Sequence, residues 1–194
     1  GINLDGIRYV HVEQLTVRNN QLPIQAHDSS SIALRYLKIM VLTADKAGVS
    51  IWGANNYVCD NAFIGAAGNF PAYLNNPEGL LITGEGHVVC HNSITHFRDA
   101  ITLAPRFSGQ APARSIDIYG NDIFDVADDG VEADYTFHNI RIFKNRMRNY
   151  LSAVSTQPSV AGPTYIFRNE FFSMMAIETS PPSKTVSSPY KISE

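Results

Sequence analysis

The stretch Asn139-Ile-Arg-Ile-Phe-Lys-Asn145 decides the fold. Apolar residues alternate with polar or aromatic ones, the alternation stops at an Asn, and an apolar residue follows two places on. Alternation of period two belongs to a strand with one face buried. The same frame recurs as Ser115-Ile-Asp-Ile-Tyr-Gly-Asn121, His87-Val-Val-Cys-His-Asn92, Tyr57-Val-Cys-Asp-Asn61 and Thr164-Tyr-Ile-Phe-Arg-Asn169. Weaker copies end at Gln14 (Tyr9-Val-His-Val-Glu-Gln14) and Met40 (Tyr36-Leu-Lys-Ile-Met40). Successive copies lie 26, 21, 31, 29, 24 and 24 residues apart, a solenoid period.

A second strand follows each first one: Ala47-Gly-Val-Ser-Ile51, Glu78-Gly-Leu-Leu-Ile82, Asp99-Ala-Ile-Thr-Leu103, Asp129-Gly-Val-Glu-Ala133 and Ser152-Ala-Val-Ser-Thr156. Residues 66–77, rich in Gly, Asn and Pro, read as an inserted surface loop. Such short strands bury their apolar side only by stacking on neighbouring coils. No stretch carries the 3.6-residue apolar stripe of a helical solenoid. The expected fold is all-β, a right-handed parallel β-helix of about seven coils occupying residues 1–194 as one domain. Residues 179–194 are expected to form a poorly ordered or incomplete last coil.

The recurring Asn explains itself. At each bend a side-chain amide can bond its counterparts one rung away, so Asn61, Asn92, Asn121, Asn145 and Asn169 read as a structural ladder. Phe63, Ile94, Ile123, Met147 and Phe171, two residues later, read as stacked core. Cys59 and Cys90 fall at one position of successive coils. In-register parallel strands suit disulfide geometry poorly, so two buried thiols side by side are expected.

Composition bounds the function. Charged residues make up 17% and apolar ones 44%, as in a folded globular chain. Fifteen basic residues against eighteen acidic ones, with no basic block, argue against a nucleic-acid partner. No apolar run is long enough to span a membrane as a helix. The chain begins at Gly1 with no signal-peptide pattern, and a processed or excised piece is expected.

With the register set, Ile116 to Asn169, and in particular Asp128-Asp-Gly-Val-Glu-Ala-Asp134 and Gly162-Pro-Thr-Tyr-Ile-Phe-Arg-Asn169, resembles the right-handed β-helix repeat proteins of the pectin-lyase-like superfamily. The resemblance covers the whole chain as fold, and it implies a secreted or cell-surface, bacterial-like protein that meets polysaccharide. The superfamily spans lyases, hydrolases, epimerases, esterases, tailspikes and adhesins, so fold alone names no reaction. Gly-His-Gly, Asn-Thr-Asp and Arg-x-Pro-x-x-Arg are absent, which disfavours polygalacturonase and many pectate lyases.

Aligned second strands give outward columns. One holds Ala47, Glu78, Asp99, Asp129 and Ser152; another holds Ser50, Leu81, Thr102, Glu132 and Ser155; a third holds Trp52, Thr83, Ala104, Asp134 and Gln157. Stacked carboxylates repel unless a cation, a base or a retained proton intervenes. Asp129, Glu132, Asp134, Asp99 and Arg98 are therefore candidate catalytic residues, expected to face solvent, with Gly130 turning Asp129 to their side. Glu78, Asp99 and Asp129 are candidate Ca²⁺ ligands. Trp52, Arg106 and Tyr73 are candidate sugar contacts, and Phe70 lies beside Tyr73. In a lyase, Ca²⁺ would neutralise a uronate while Arg or Lys takes the proton; in a hydrolase, two carboxylates would share the work. Turn-forming carboxylates are the plainer reading of Asp99 and Asp128. A non-catalytic, carbohydrate-binding or adhesin-like solenoid is the alternative. The six His residues show no metal-ligand spacing and read as surface turn residues.

Overall fold

The computed structural model describes residues 1–19, 21–43, 47–66, 77–105, 108–172, 176–178, 184–186 and 188–192. They form a right-handed parallel β-helix with no helical element among them. Three parallel sheets run along it. The first has eight strands: Ile2–Asn3, Ile24–Ser30, Val49–Ala54, Leu80–Glu85, Ile101–Thr102, Asp129–Glu132, Ser152–Thr156 and Ser188–Ile192. The second and third have seven each, beginning at His11–Glu13 and Thr16–Asn19 and ending at Thr164–Phe167 and Glu170–Phe172. Each coil thus carries three strands where the sequence pattern suggested two. The third-sheet strands, such as Ala62–Ile64 and Ser93–Thr95, are three or four residues long, too short to show a clear alternation.

The bend between the second and third sheets has a local cause. The residue before each ladder position sits in the left-handed region, with φ between 53° and 65° at Gln14, Tyr36, Asp60, His91, Gly120, Lys144 and Arg168. For residues other than glycine this conformation costs about 1–2 kcal/mol. The ladder offsets it. Asn61, Asn92, Asn121 and Asn145 each donate through Nδ2 to Oδ1 of the next Asn at 2.9–3.0 Å. Each of those oxygens also accepts the backbone N–H of the Asn below at 3.0 Å. In the first two coils the position falls to Leu15 and Leu37, not to Gln14 and Met40: the Leu37 N–H donates to Asn61 Oδ1 at 2.9 Å.

Inside, apolar columns run the length of the solenoid. Val58, Val89, Ile118 and Ile142 stack from the second sheet, and Phe63, Ile94, Ile123 and Met147 from the third. All eight are fully buried. Outside the second sheet, Tyr119, Phe143 and Phe167 stack at 5.0 Å intervals. In the same outward column Cys59 and Cys90 form a disulfide, correcting the expectation of two thiols. Direct in-register opposition places their Cα atoms 4.5 Å apart, at the short end of the bridging range but within it. Closing 31 residues contributes about 3–4 kcal/mol by chain entropy.

The end of the chain returns to the solenoid. Ser188–Ile192 pairs in parallel with Ser152–Thr156, and Ala176–Glu178 pairs antiparallel with Lys184–Val186. Most of the 66–77 loop, Phe70 included, and residues 179–183 lie outside the described residues.

Candidate functional site

The acidic column forms at the corner where chain enters the first sheet. Glu78 and Asp99 sit two residues before the core positions Leu80 and Ile101, and Asp129 occupies the same register before Val131. Backbone bonds from Gly79 N to the Asp99 carbonyl (2.8 Å) and from Ala100 N to the Asp129 carbonyl (3.0 Å) hold the three rungs together. A carboxylate oxygen from each of Asp99, Asp128 and Asp129 lies within 4.8 Å of the other two. Arg98 crosses this corner. Its Nε donates to Asp99 Oδ2 at 2.8 Å and its Nη2 to Glu78 Oε1 at 3.1 Å. Burial works against the guanidinium charge, yet Asp99, Glu78 and Glu132 hold its pKa above the ordinary value. Arg98 is a fixed cation.

The carboxylates do not face solvent as expected. Asp99 is 2% and Asp129 3% exposed, and the other oxygen of Asp99 accepts the Asp129 N–H at 3.0 Å. Glu132 is half-buried. Gly130 does not supply a left-handed turn; it is needed for packing, because a Cβ there would lie 2.7 Å from the Ala153 carbonyl oxygen and 2.8 Å from Met147 Sδ. Asp134 stands apart from the corner. It is buried and accepts from Ser155 Oγ at 2.8 Å and from Gln157 N at 2.5 Å, so it ties its rung to the next.

Trp52 lies in the outward column with Thr83, but the His27 imidazole stacks on its ring at 3.3 Å and 6°. Tyr73 and Arg106 lie outside the described residues. Asp128 joins the acidic set although its sequence pattern suggested only a turn.

Two histidines are more than surface turn residues. His87 is buried; its Nδ1 accepts the Asn56 N–H at 3.0 Å and its Nε2 donates to the Thr83 carbonyl at 3.0 Å. Burial pushes its pKa down to about 4. His27 reaches Ser50 Oγ through Nε2 at 3.0 Å. Extending the outward columns two coils upstream, to Asp5 and His27, would have found this grouping.

These features define a parallel β-helix solenoid with an acidic corner crossed by one arginine. No protein-family model matches the chain, and no curated protein matches it.

Proposed function

We propose that this β-helix is of the pectin-lyase-like type and acts outside the cell on an acidic polysaccharide at the Arg98–Asp99–Asp128–Asp129 corner. The observation that carries the reading is the convergence of three carboxylates within 4.8 Å beside a fixed arginine. Such a set suits a divalent cation of the Ca²⁺ class, which binds several carboxylate oxygens and tolerates irregular geometry. Asp99, Asp128 and Asp129 would hold it, with Glu78 on the neighbouring rung. Bound there, the cation would neutralise a uronate of the sugar chain.

Arg98, held as a cation by its acidic neighbours, orients charge and does not accept a proton. Half-buried Glu132 is the residue for proton transfer. The Cys59–Cys90 disulfide supports a secreted or cell-surface setting, since such bonds persist in oxidising compartments.

A second reading has its own observation. Asp99 and Asp129 are buried, and Asp99 bonds the backbone of Asp129, as residues that build a corner do. That favours a binding or adhesin-like solenoid. A screen of acidic polysaccharides at the unsaturated-uronate absorbance band, with and without chelator, separates the two. Chelator-sensitive product formation that Glu132→Gln abolishes at unchanged melting temperature supports cleavage. Full activity in Glu132→Gln, or retention of polysaccharide with no product, rejects it.

A further inference from the structure

The outward face of the first sheet carries a second polar grouping, two rungs before the acidic corner. Asn3, Gln25 and Ser50 are register partners, and so are Ile51 and Ala26. Between Ala26 and Ser29 the register shifts, so His27 and Asp28 together oppose Trp52. Asp28, the extra residue, sits at φ 50°. A bulge re-aims the side chain beside it. Here that side chain is His27.

Its imidazole is held on one face and at Nε2, with a carboxylate beside Nδ1. The Trp52 ring lies flat against it, Nε2 is 3.0 Å from Ser50 Oγ, and Nδ1 faces Asp5 Oδ1 at 3.7 Å. Asp5 is itself oriented: Oδ2 accepts Gln25 Nε2 at 2.5 Å, and Oδ1 accepts the His27 N–H at 2.8 Å. Asp5 beside Nδ1 favours the proton there, which leaves the Nε2 lone pair to accept the Ser50 O–H. Burial holds the His27 pKa below its usual value against the pull of Asp5 and Asp28, so the ring is neutral at pH 7. The 3.7 Å separation exceeds a hydrogen bond, as catalytic contacts often do before substrate arrives.

We propose that Ser50, His27 and Asp5 form a nucleophilic serine site that hydrolyses short-chain carboxylic esters. Ser50 Oγ adds to the acyl carbon while its proton passes to His27 Nε2. The ester C–O bond then breaks and the leaving alcohol takes that proton, leaving an acyl-serine. Water adds to the acyl carbon, gives its proton to Nε2, and releases the carboxylic acid as Ser50 recovers its hydrogen. Ser50 is only 4% exposed, which limits the acyl group to a small one such as acetyl. Asp5 is a positioning residue. The site is independent of the acidic corner and does not need that reading.

The test uses the full chain with two probes small enough for the site, p-nitrophenyl acetate and methanesulfonyl fluoride, the sulfonyl adduct being mapped by peptide mass. Ser50 should be labelled, and ester hydrolysis should exceed the buffer rate. Ser50→Ala should lose both, and His27→Gln should slow labelling and hydrolysis by at least about 100-fold, each with an unchanged melt. Asp5→Asn should slow turnover by about 10-fold or more. Around His27 stand Asp5 in the turn after the preceding strand, Asp28 beside it, and Ser50 and Trp52 on the next strand. Loss of the Asp5 charge should therefore move the acid limb of the rate profile to lower pH. No label on Ser50 of the folded protein overturns the proposal. So does hydrolysis that survives Ser50→Ala, or labelling as fast in His27→Gln as in the parent.

Discussion

The Asn ladder and the acidic corner are the same construction with opposite electrostatic outcomes. Each stacks one polar residue type in register on consecutive rungs, about 4.8 Å apart. An amide both donates and accepts, so Asn61 through Asn169 satisfy one another and the backbone with no outside group. A carboxylate only accepts. Glu78, Asp99 and Asp129 in the same geometry repel, and the corner needs Arg98 and the Asp129 N–H to hold it. A column that closes on itself is scaffold. A column that calls for a positive charge is where a ligand can bind.

Breaking the ladder should have the largest effect. Asn121 Oδ1 accepts from both the N–H and Nδ2 of Asn92, and Asn121 Nδ2 donates to the Val89 carbonyl and to Asn145. Asn121→Leu strands several buried groups, at about 1–3 kcal/mol each after partial relaxation. A loss of about 4 kcal/mol should lower the melting temperature by roughly 8–16 °C. An unchanged melt would remove the ladder from the account of stability.

His87 sharpens the comparison from the other side. A neutral imidazole donates and accepts like an amide, and His87 uses both nitrogens in that way. Protonation makes it donor-only, opposite in sense to a carboxylate. Its folded pKa is about 4, against 6.5 for the free side chain. The unfolded chain therefore binds more protons between those values. The contribution of His87 is intact above pH 6.5, declines as pH falls towards 4, and levels off below it, a total of about 3 kcal/mol. His87→Asn should show a shallower loss of melting temperature between pH 7 and 4 than the parent. Parallel curves would mean His87 is not neutral in the fold.

Arg98→Met tests the claim that the corner needs a cation. It leaves Asp99 and Glu78, 3% and 12% exposed in their side chains, without the guanidinium that links them. The expected loss is about 2 kcal/mol at pH 7. It should shrink when Glu78→Gln is combined with Arg98→Met, because the double variant no longer sets two carboxylates against each other. An equal loss in the double variant would point to lost packing of the arginine stem instead.

The fold was legible wherever an amide marked the bend. It slipped at Leu15 and Leu37, where the ladder position is apolar and the preceding left-handed residues are Gln14 and Tyr36, which carry no turn signal. The columns through Glu78, Asp99 and Asp129 were legible because period two fixes register. Burial was not, since an outward column is buried whenever other groups pack over it, as at Asp129 and Thr102. The alternation runs unbroken through Ile24, Gln25, Ala26 and His27 before the extra residue, Asp28, so the grouping at His27 was missed because the aligned second strands began at Ala47. The Cys59–Cys90 bond was misjudged although the register was read correctly, because 4.5 Å between in-register Cα atoms still lies within the bridging range.

The smallest expected effect decides what neutralises the corner. If Asp99, Asp128 and Asp129 take Ca²⁺ in the folded state alone, the ion adds RT ln(1 + [Ca²⁺]/Kd), about 1.4 kcal/mol at ten times Kd. The parent should then melt roughly 3–6 °C higher in millimolar CaCl₂ than in EDTA. MgCl₂ should give less, because Mg²⁺ demands stricter octahedral geometry and sheds water reluctantly. Asp128→Asn should erase the gain while leaving the melt in EDTA nearly unchanged, since Asp128, unlike Asp99, is only partly buried. Arg98→Met should enlarge the gain, because removal of the resident cation leaves more negative charge for the ion to neutralise. A Ca²⁺ response that survives Asp128→Asn would place the ion elsewhere. The absence of any response, in parent and Arg98→Met alike, would leave Arg98 as the cation that completes the column, and the corner would then belong with the ladder as scaffold.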